Sequence, residues 1–172
     1  MPIDYDAVPS PAFVLDLARL RRNLETIARI RDEAGVSIIL ALKGFAMWRV
    51  FPLINRYLDG ATASSLHEAR LIYEEMGEKA HTYAPAYLPG EWEEIARLSN
   101  HLTFNSLSQY GQYADRLPEG VSPGLRVNPE YSDVEVDLYN PASPHSRLGE
   151  LAEDLEKSGL PEKIEGLHFH VL

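Results

Sequence analysis

Lys43, Arg126, His168 and His170 are the residues of this chain whose types and spacing suit covalent chemistry. Lys43 closes the apolar run Ser37–Leu42 and opens the glycine-marked turn Gly44–Trp48. A run of that kind, bounded by Gly35 and Gly44, predicts a buried parallel strand with an amine at its carboxyl end, where α/β folds carry their chemistry. Held among Leu42, Phe45 and Trp48, the amine would lose hydration and become available to form an imine with an aldehyde. Arg126 sits on a later strand just before Asn128–Pro129, and His168 and His170 share one strand face because side chains repeat every two residues. A lysine for the imine, an arginine for charge and a flat imidazole for an aromatic ring suit a phosphorylated aldehyde. Thr62–Ser65 and Asn105–Ser106 end two further strands and converge on the same rim. Two plainer readings stay open: a strand-end lysine reaching into solvent, and a metal pair at His168 and His170. No carboxylate of matching geometry accompanies that pair, so no metal site is assigned. His67, His81, His101 and His145 share no period and read as helix-surface, strand or loop residues.

The elements that must position these groups alternate. Asp16 is placed to cap a helix whose apolar positions Leu17, Leu20, Leu24, Ile27 and Ile30 recur at three- and four-residue steps up to Gly35. After the Lys43 strand come a helix near Arg49–Leu58, a strand at Gly60–Ala63, a helix over Leu66–Met76 and a strand near His81–Tyr83. A helix around Glu91–Leu98, a strand at His101–Phe104, a helix from Ser106 to about Arg116 and a strand at Gly124–Val127 follow. Strict alternation is the signature of a parallel sheet. It breaks over Asn128–Ser146, a proline- and acid-bearing connection long enough to read as a functional loop. A helix near Glu150–Lys157 and a strand from Ile164 to Leu172 complete six strands. A closed (β/α)8 barrel needs eight, in about 250 residues. A truncated polypeptide is therefore expected, against the alternative of an open doubly wound sheet.

Composition removes several classes. With 26 acidic and 16 basic residues the net charge is -10, which argues against binding a phosphate backbone and is compatible with a cationic partner. There is no cysteine, so neither disulfides nor thiolate metal sites arise. The start of the chain lacks a signal-peptide pattern and no run approaches membrane-spanning length, so a cytoplasmic protein without membrane contact is expected.

The segments Ala41–Trp48, Leu58–Glu68, Phe104–Gln109, Gly124–Tyr131, Ser146–Gly149 and Glu165–His170 closely resemble the carboxynorspermidine (carboxyspermidine) decarboxylases, members of the alanine racemase-like, fold type III pyridoxal phosphate enzymes. The resemblance implies residues 1–172 as the amino-terminal portion of a TIM-type (β/α)8 barrel, an incomplete barrel of about six parallel strands. It implies pyridoxal 5′-phosphate as cofactor, joined as an imine to Lys43, with His170 stacked on its ring and Arg126 in support. Arg147 would close over the mouth, and Phe45 and Phe169 would form dry walls. The substrate implied is a small cationic carboxylated triamine, decarboxylated to norspermidine or spermidine in polyamine biosynthesis. In the family the glycine-rich phosphate loop, the acidic partner of the ring nitrogen and the carboxyl-terminal β-domain follow the equivalent of Leu172. The 172 residues alone are thus expected to be inactive, the full-length form a homodimer, and a complementing chain is one way to supply the missing half. Diaminopimelate decarboxylase, an amino-acid racemase and a non-catalytic scaffold are the competing readings.

Overall fold

The computed structural model describes residues 3–143 and 145–170; the expected end of the last strand at Val171–Leu172 lies outside them. The first long helix, α1 (Leu17–Ala34), starts and stops where its sequence dictates. Asp16 Oδ1 accepts from the backbone N–H groups of Ala18 and Arg19 at 2.8 and 3.1 Å, and Gly35 takes the left-handed conformation (φ 64°) that ends the helix.

Six parallel strands then form one sheet in the order of the chain. They are β1 (Leu40–Ala41), β2 (Ala61–Ala63), β3 (Ala80–Tyr83), β4 (Ser99–Phe104), β5 (Ser122–Arg126) and β6 (Gly166–His168). The crossovers carry α2 (Phe51–Ile54), α3 (Leu66–Met76), α4 (Trp92–Arg97), α5 (Leu107–Tyr113) and α6 (Ala152–Ser158). Sequential parallel order with a helix in each crossover is barrel topology; a doubly wound sheet would reverse its strand order. The expected incomplete α/β barrel is observed.

Three expectations need correction. The strand before Lys43 pairs over two residues only, and Lys43 lies in the turn beyond it. The helix expected over Arg49–Leu58 is a 3₁₀ turn (Trp48–Val50) followed by the four-residue α2, because Pro52 has no N–H to donate and fits only a helix start. The long final strand pairs only over Gly166–His168.

The core lies between sheet and helices, built by alternation along each strand. Ala61, Ala63, Ala80, Leu102, Phe104 and Leu125 are fully buried on the helix side. At its centre Trp92 stacks on Tyr113 with ring centroids 4.2 Å apart and meets Tyr87 edge-on at 5.5 Å. The other face of the strands carries the polar residues described next.

Candidate active site

Two capping boxes fix the strand ends around the site. Ser65 Oγ accepts from the N–H of Glu68, and Glu68 Oε2 accepts in return from the N–H of Ser64 at 2.6 Å. Ser106 Oγ accepts from the N–H of Gln109, and Gln109 Oε1 accepts from the N–H of Asn105 at 2.7 Å. Each S-x-x-E/Q motif satisfies donors at a helix start and, in doing so, locks the residue where strand becomes helix.

Strand alternation does the rest. The inward set is Lys43 after β1, Thr62 and Ser64 at β2, His81 and Tyr83 on β3, His101 and Thr103 on β4, Ser122, Gly124 and Arg126 on β5, and Gly166, His168 and His170 at β6. All line one cavity of about 690 Å³. Within it, Arg126 is 5% exposed and lies beside His168, its register partner on the next strand. Arg126 Nη1 donates to the Tyr83 hydroxyl at 2.6 Å, its guanidinium sits 4.9 Å from the Tyr83 ring centre, and Tyr83 meets the His168 ring edge-on at 4.9 Å. His168 and His170 have ring centroids 6.3 Å apart.

The site is cationic inside an acidic protein, and no carboxylate is among the described residues lining it. Burial first, then the charge of Arg126, coupling to His170 and the charge of Lys43, depress His168 to about 4; burial and the Lys43 charge also hold His170 below the ordinary imidazole range. Both imidazoles are therefore neutral at neutral pH. A histidine depressed in the fold takes its proton more readily once unfolded, so stability falls as pH drops from the ordinary range, near 6.5, toward about 4. We expect His168→Gln to flatten this part of the stability-against-pH curve in urea titrations; a curve parallel to that of the parent chain would contradict the assignment.

The sequence expectations fare unevenly. Lys43, Arg126, His168 and His170 are brought together, and Asn105 reaches the same rim. The apolar jacket around Lys43 is absent: Leu42 turns to the core at 3% exposure, so its neighbour Lys43 turns into the open cavity and is exposed. Phe45 packs on the core beside α1, outside this cavity, and Phe169, lying between two inward histidines, faces away and is 65% exposed. Neither is a wall of the site. His81 and His101 are not scattered: they are register partners on β3 and β4 and stack at 4.1 Å on the cavity floor. Tyr83 was missed as well. The signal available for all three was the two-residue step, which links His81 to Tyr83 and His101 to Thr103.

A run of parallel strands with chemistry at their carboxyl ends and a polar inward face defines an α/β-barrel scaffold. Diaminopimelate decarboxylase shares the fold, with a TM-score of 0.68 at 17% identity over 90% of this chain. By sequence the chain is similar to the first part of carboxynorspermidine/carboxyspermidine decarboxylases. It is 42% identical to the Campylobacter jejuni carboxynorspermidine/carboxyspermidine decarboxylase over 168 residues, 98% of this chain and 44% of that protein. It is 47% identical to the Synechocystis carboxyaminopropylagmatine decarboxylase over 167 residues, 96% of this chain and 43% of that protein. The crystal structure of carboxynorspermidine decarboxylase from C. jejuni complexed with norspermidine matches with a TM-score of 0.85 at 38% identity, over 96% of this chain and 42% of that one. The chain thus spans less than half the length of the relatives it matches. No family model matches it.

Proposed function

We propose that this chain is the cofactor-holding part of a pyridoxal phosphate-dependent decarboxylase that removes carbon dioxide from a carboxylated linear polyamine. The observation that carries this is the convergence of Lys43, Arg126, His168 and His170 on one cavity at the carboxyl ends of parallel strands. The residues fit the cofactor on two counts. Arg126 Nε is buried without a hydrogen-bond partner, a donor left for something anionic or polar in the cavity, and His168 and His170 offer flat rings beside it that burial keeps below the ordinary imidazole range.

Bound, the cofactor would supply an electron sink for the pair left behind when the substrate carboxylate departs as carbon dioxide. The chain's own residues set the rest. Lys43 Nζ, in the open mouth, is the amine that would hold the cofactor's aldehyde, and its place beside the reacting centre would suit it to return a proton. His170 offers a flat neutral face. Arg126, fixed by Tyr83, fills the adjoining volume with positive charge and keeps a competing cation out. The acidic surface at large favours approach of a polycationic substrate.

Carboxynorspermidine and carboxyspermidine are the substrates proposed first, with norspermidine or spermidine as products. The 47% identity to a protein named for carboxyaminopropylagmatine favours a guanidine-ended substrate as the second reading. A cytoplasmic homodimer in the complete protein belongs to the same proposal. The test is spectroscopic: pyridoxal phosphate added to the chain should give an absorbance band near the visible edge, which carboxynorspermidine, carboxyspermidine or carboxyaminopropylagmatine should alter and diaminopimelate should not. A featureless spectrum after cofactor addition sinks the proposal. Since no described lining residue is a carboxylate that could hold a proton on the ring nitrogen, we also expect little or no carbon dioxide release by the 172 residues alone, measured with labelled carboxyspermidine. Brisk turnover would show that the described pocket already suffices.

A further inference from the structure

One side chain outside the proposed covalent machinery is bonded to both halves of the site. Asn105, just past the end of β4, uses both the oxygen and the nitrogen of its amide. Its Oδ1 accepts from the Tyr83 hydroxyl at 2.8 Å and from the Gly149 N–H at 3.1 Å, and its Nδ2 donates to the Arg147 carbonyl at 2.9 Å. Two donors on the oxygen and one carbonyl on the nitrogen fit only this orientation of the amide. Tyr83 in turn receives Arg126 Nη1 at 2.6 Å. A continuous path therefore runs from the buried guanidinium in the cavity to the backbone of a half-buried rim segment whose Arg147 is exposed.

That segment is held against β5 in other ways too. The Glu150 N–H donates to the Arg126 carbonyl at 2.9 Å, Glu150 accepts from the Asn128 N–H at 2.8 Å, and Glu150 Oε2 accepts from the Leu107 N–H at 2.7 Å. Gly149, at φ 86°, lies so close that a Cβ there would be 2.8 Å from Asn128 N. These contacts secure residues 149–150. At Arg147, the side chain that reaches the cavity interior through Tyr83 is Asn105.

We propose that Asn105 is a positioning residue that couples the direction of the Arg126 guanidinium to the placement of the Arg147–Gly149 rim. Tyr83 transmits in both directions: an anion that fixes Arg126 in place against Tyr83 steadies the hydroxyl on Asn105, and a loosened rim lets Arg126 swing. Coupling of this kind is reciprocal, so filling the cavity must steady the rim as much as the rim steadies the cavity.

Trypsin reads the rim directly, because Arg147 is exposed and Asn105 holds the carbonyl of its scissile bond. Cleavage after Arg147 is followed by mass spectrometry on the whole chain, with circular dichroism confirming that each variant is folded. Without ligand, Asn105→Ala, which removes two hydrogen bonds to the rim, should raise the rate of this cut by roughly fivefold or more, since one lost hydrogen bond opening a local segment is already of that order. Tyr83→Phe, which leaves Asn105 in place, should raise it by a smaller factor. With pyridoxal phosphate, a probe that rests on the function proposed above, cleavage in the parent chain should slow. Both variants should lose that protection while borohydride still fixes label on Lys43. Equal protection in all three proteins would overturn the coupling. Should the parent chain take no label, the proposed function fails by itself, and the ligand-free rates alone decide the role of Asn105: unchanged cleavage in both variants would refute it.

Discussion

Lys43→Ala is expected to abolish covalent capture of pyridoxal phosphate completely, with no near-visible absorbance and no borohydride-stable label anywhere on the chain. No other amine can substitute. Lys43 is the only lysine among the described residues lining the cavity, and the other cation within it, Arg126, is a guanidinium that stays protonated and cannot act as a nucleophile. Lys43→Arg therefore makes a sharper comparison than alanine. It keeps the positive charge beside His170 and should still leave the label at zero. Non-covalent retention should persist in both variants, weakened, because Arg126, His168 and His170 are untouched; equilibrium dialysis distinguishes this from unfolding. Label appearing on another lysine in Lys43→Ala, at the rate of the parent chain, would mean that the aldehyde meets surface amines rather than a site.

Trp92→Ala is expected to cost the largest amount of stability, about 3–5 kcal/mol in urea unfolding, the range for truncating a buried large aromatic. Trp92 is fully buried, stacked on Tyr113 and in contact range of Tyr87 and Phe104, so its removal leaves three rings facing a void. Domains are stable by only about 5–15 kcal/mol, so this loss alone would bring the chain close to unfolding. Trp92→Phe separates packing from polarity. The indole Nε1 is buried without a hydrogen-bond partner, and phenylalanine removes that donor while keeping a ring against Tyr113. It should cost much less than alanine, and an equal cost would show that the shape of the indole, not simply an aromatic ring, is what the core needs. The effect reaches the site because Tyr87, against the Trp92 ring, donates its hydroxyl to the Thr103 carbonyl at 2.8 Å and so ties the core to the strand carrying His101 and Thr103.

The division between sequence and tertiary structure follows the range of the forces involved. Local rules were legible: the Asp16 and Gly35 ends of α1, the span of α3 and the strand/helix alternation all rest on capping groups and apolar periods a few residues apart. Residues such as Lys43 and Arg126 could be singled out because an amine or guanidinium at a strand end is chemically conspicuous. Pairing length was not legible, since β1 and β6 pair over two and three residues only, far less than their apolar runs. The fate of Phe45, Phe169, His81 and His101 was also decided only in three dimensions, because which face of a strand points inward is set by the register of six strands together. Asn105 shows this most plainly. Its three bonds reach residues 22, 42 and 44 positions away, and no pattern in the chain foretells them. The amino-acid sequence determined which groups could do chemistry; the pairing and register of the parallel sheet decided which of them share a cavity, because hydrogen bonding between strands acts across distances along the chain that local preference cannot span.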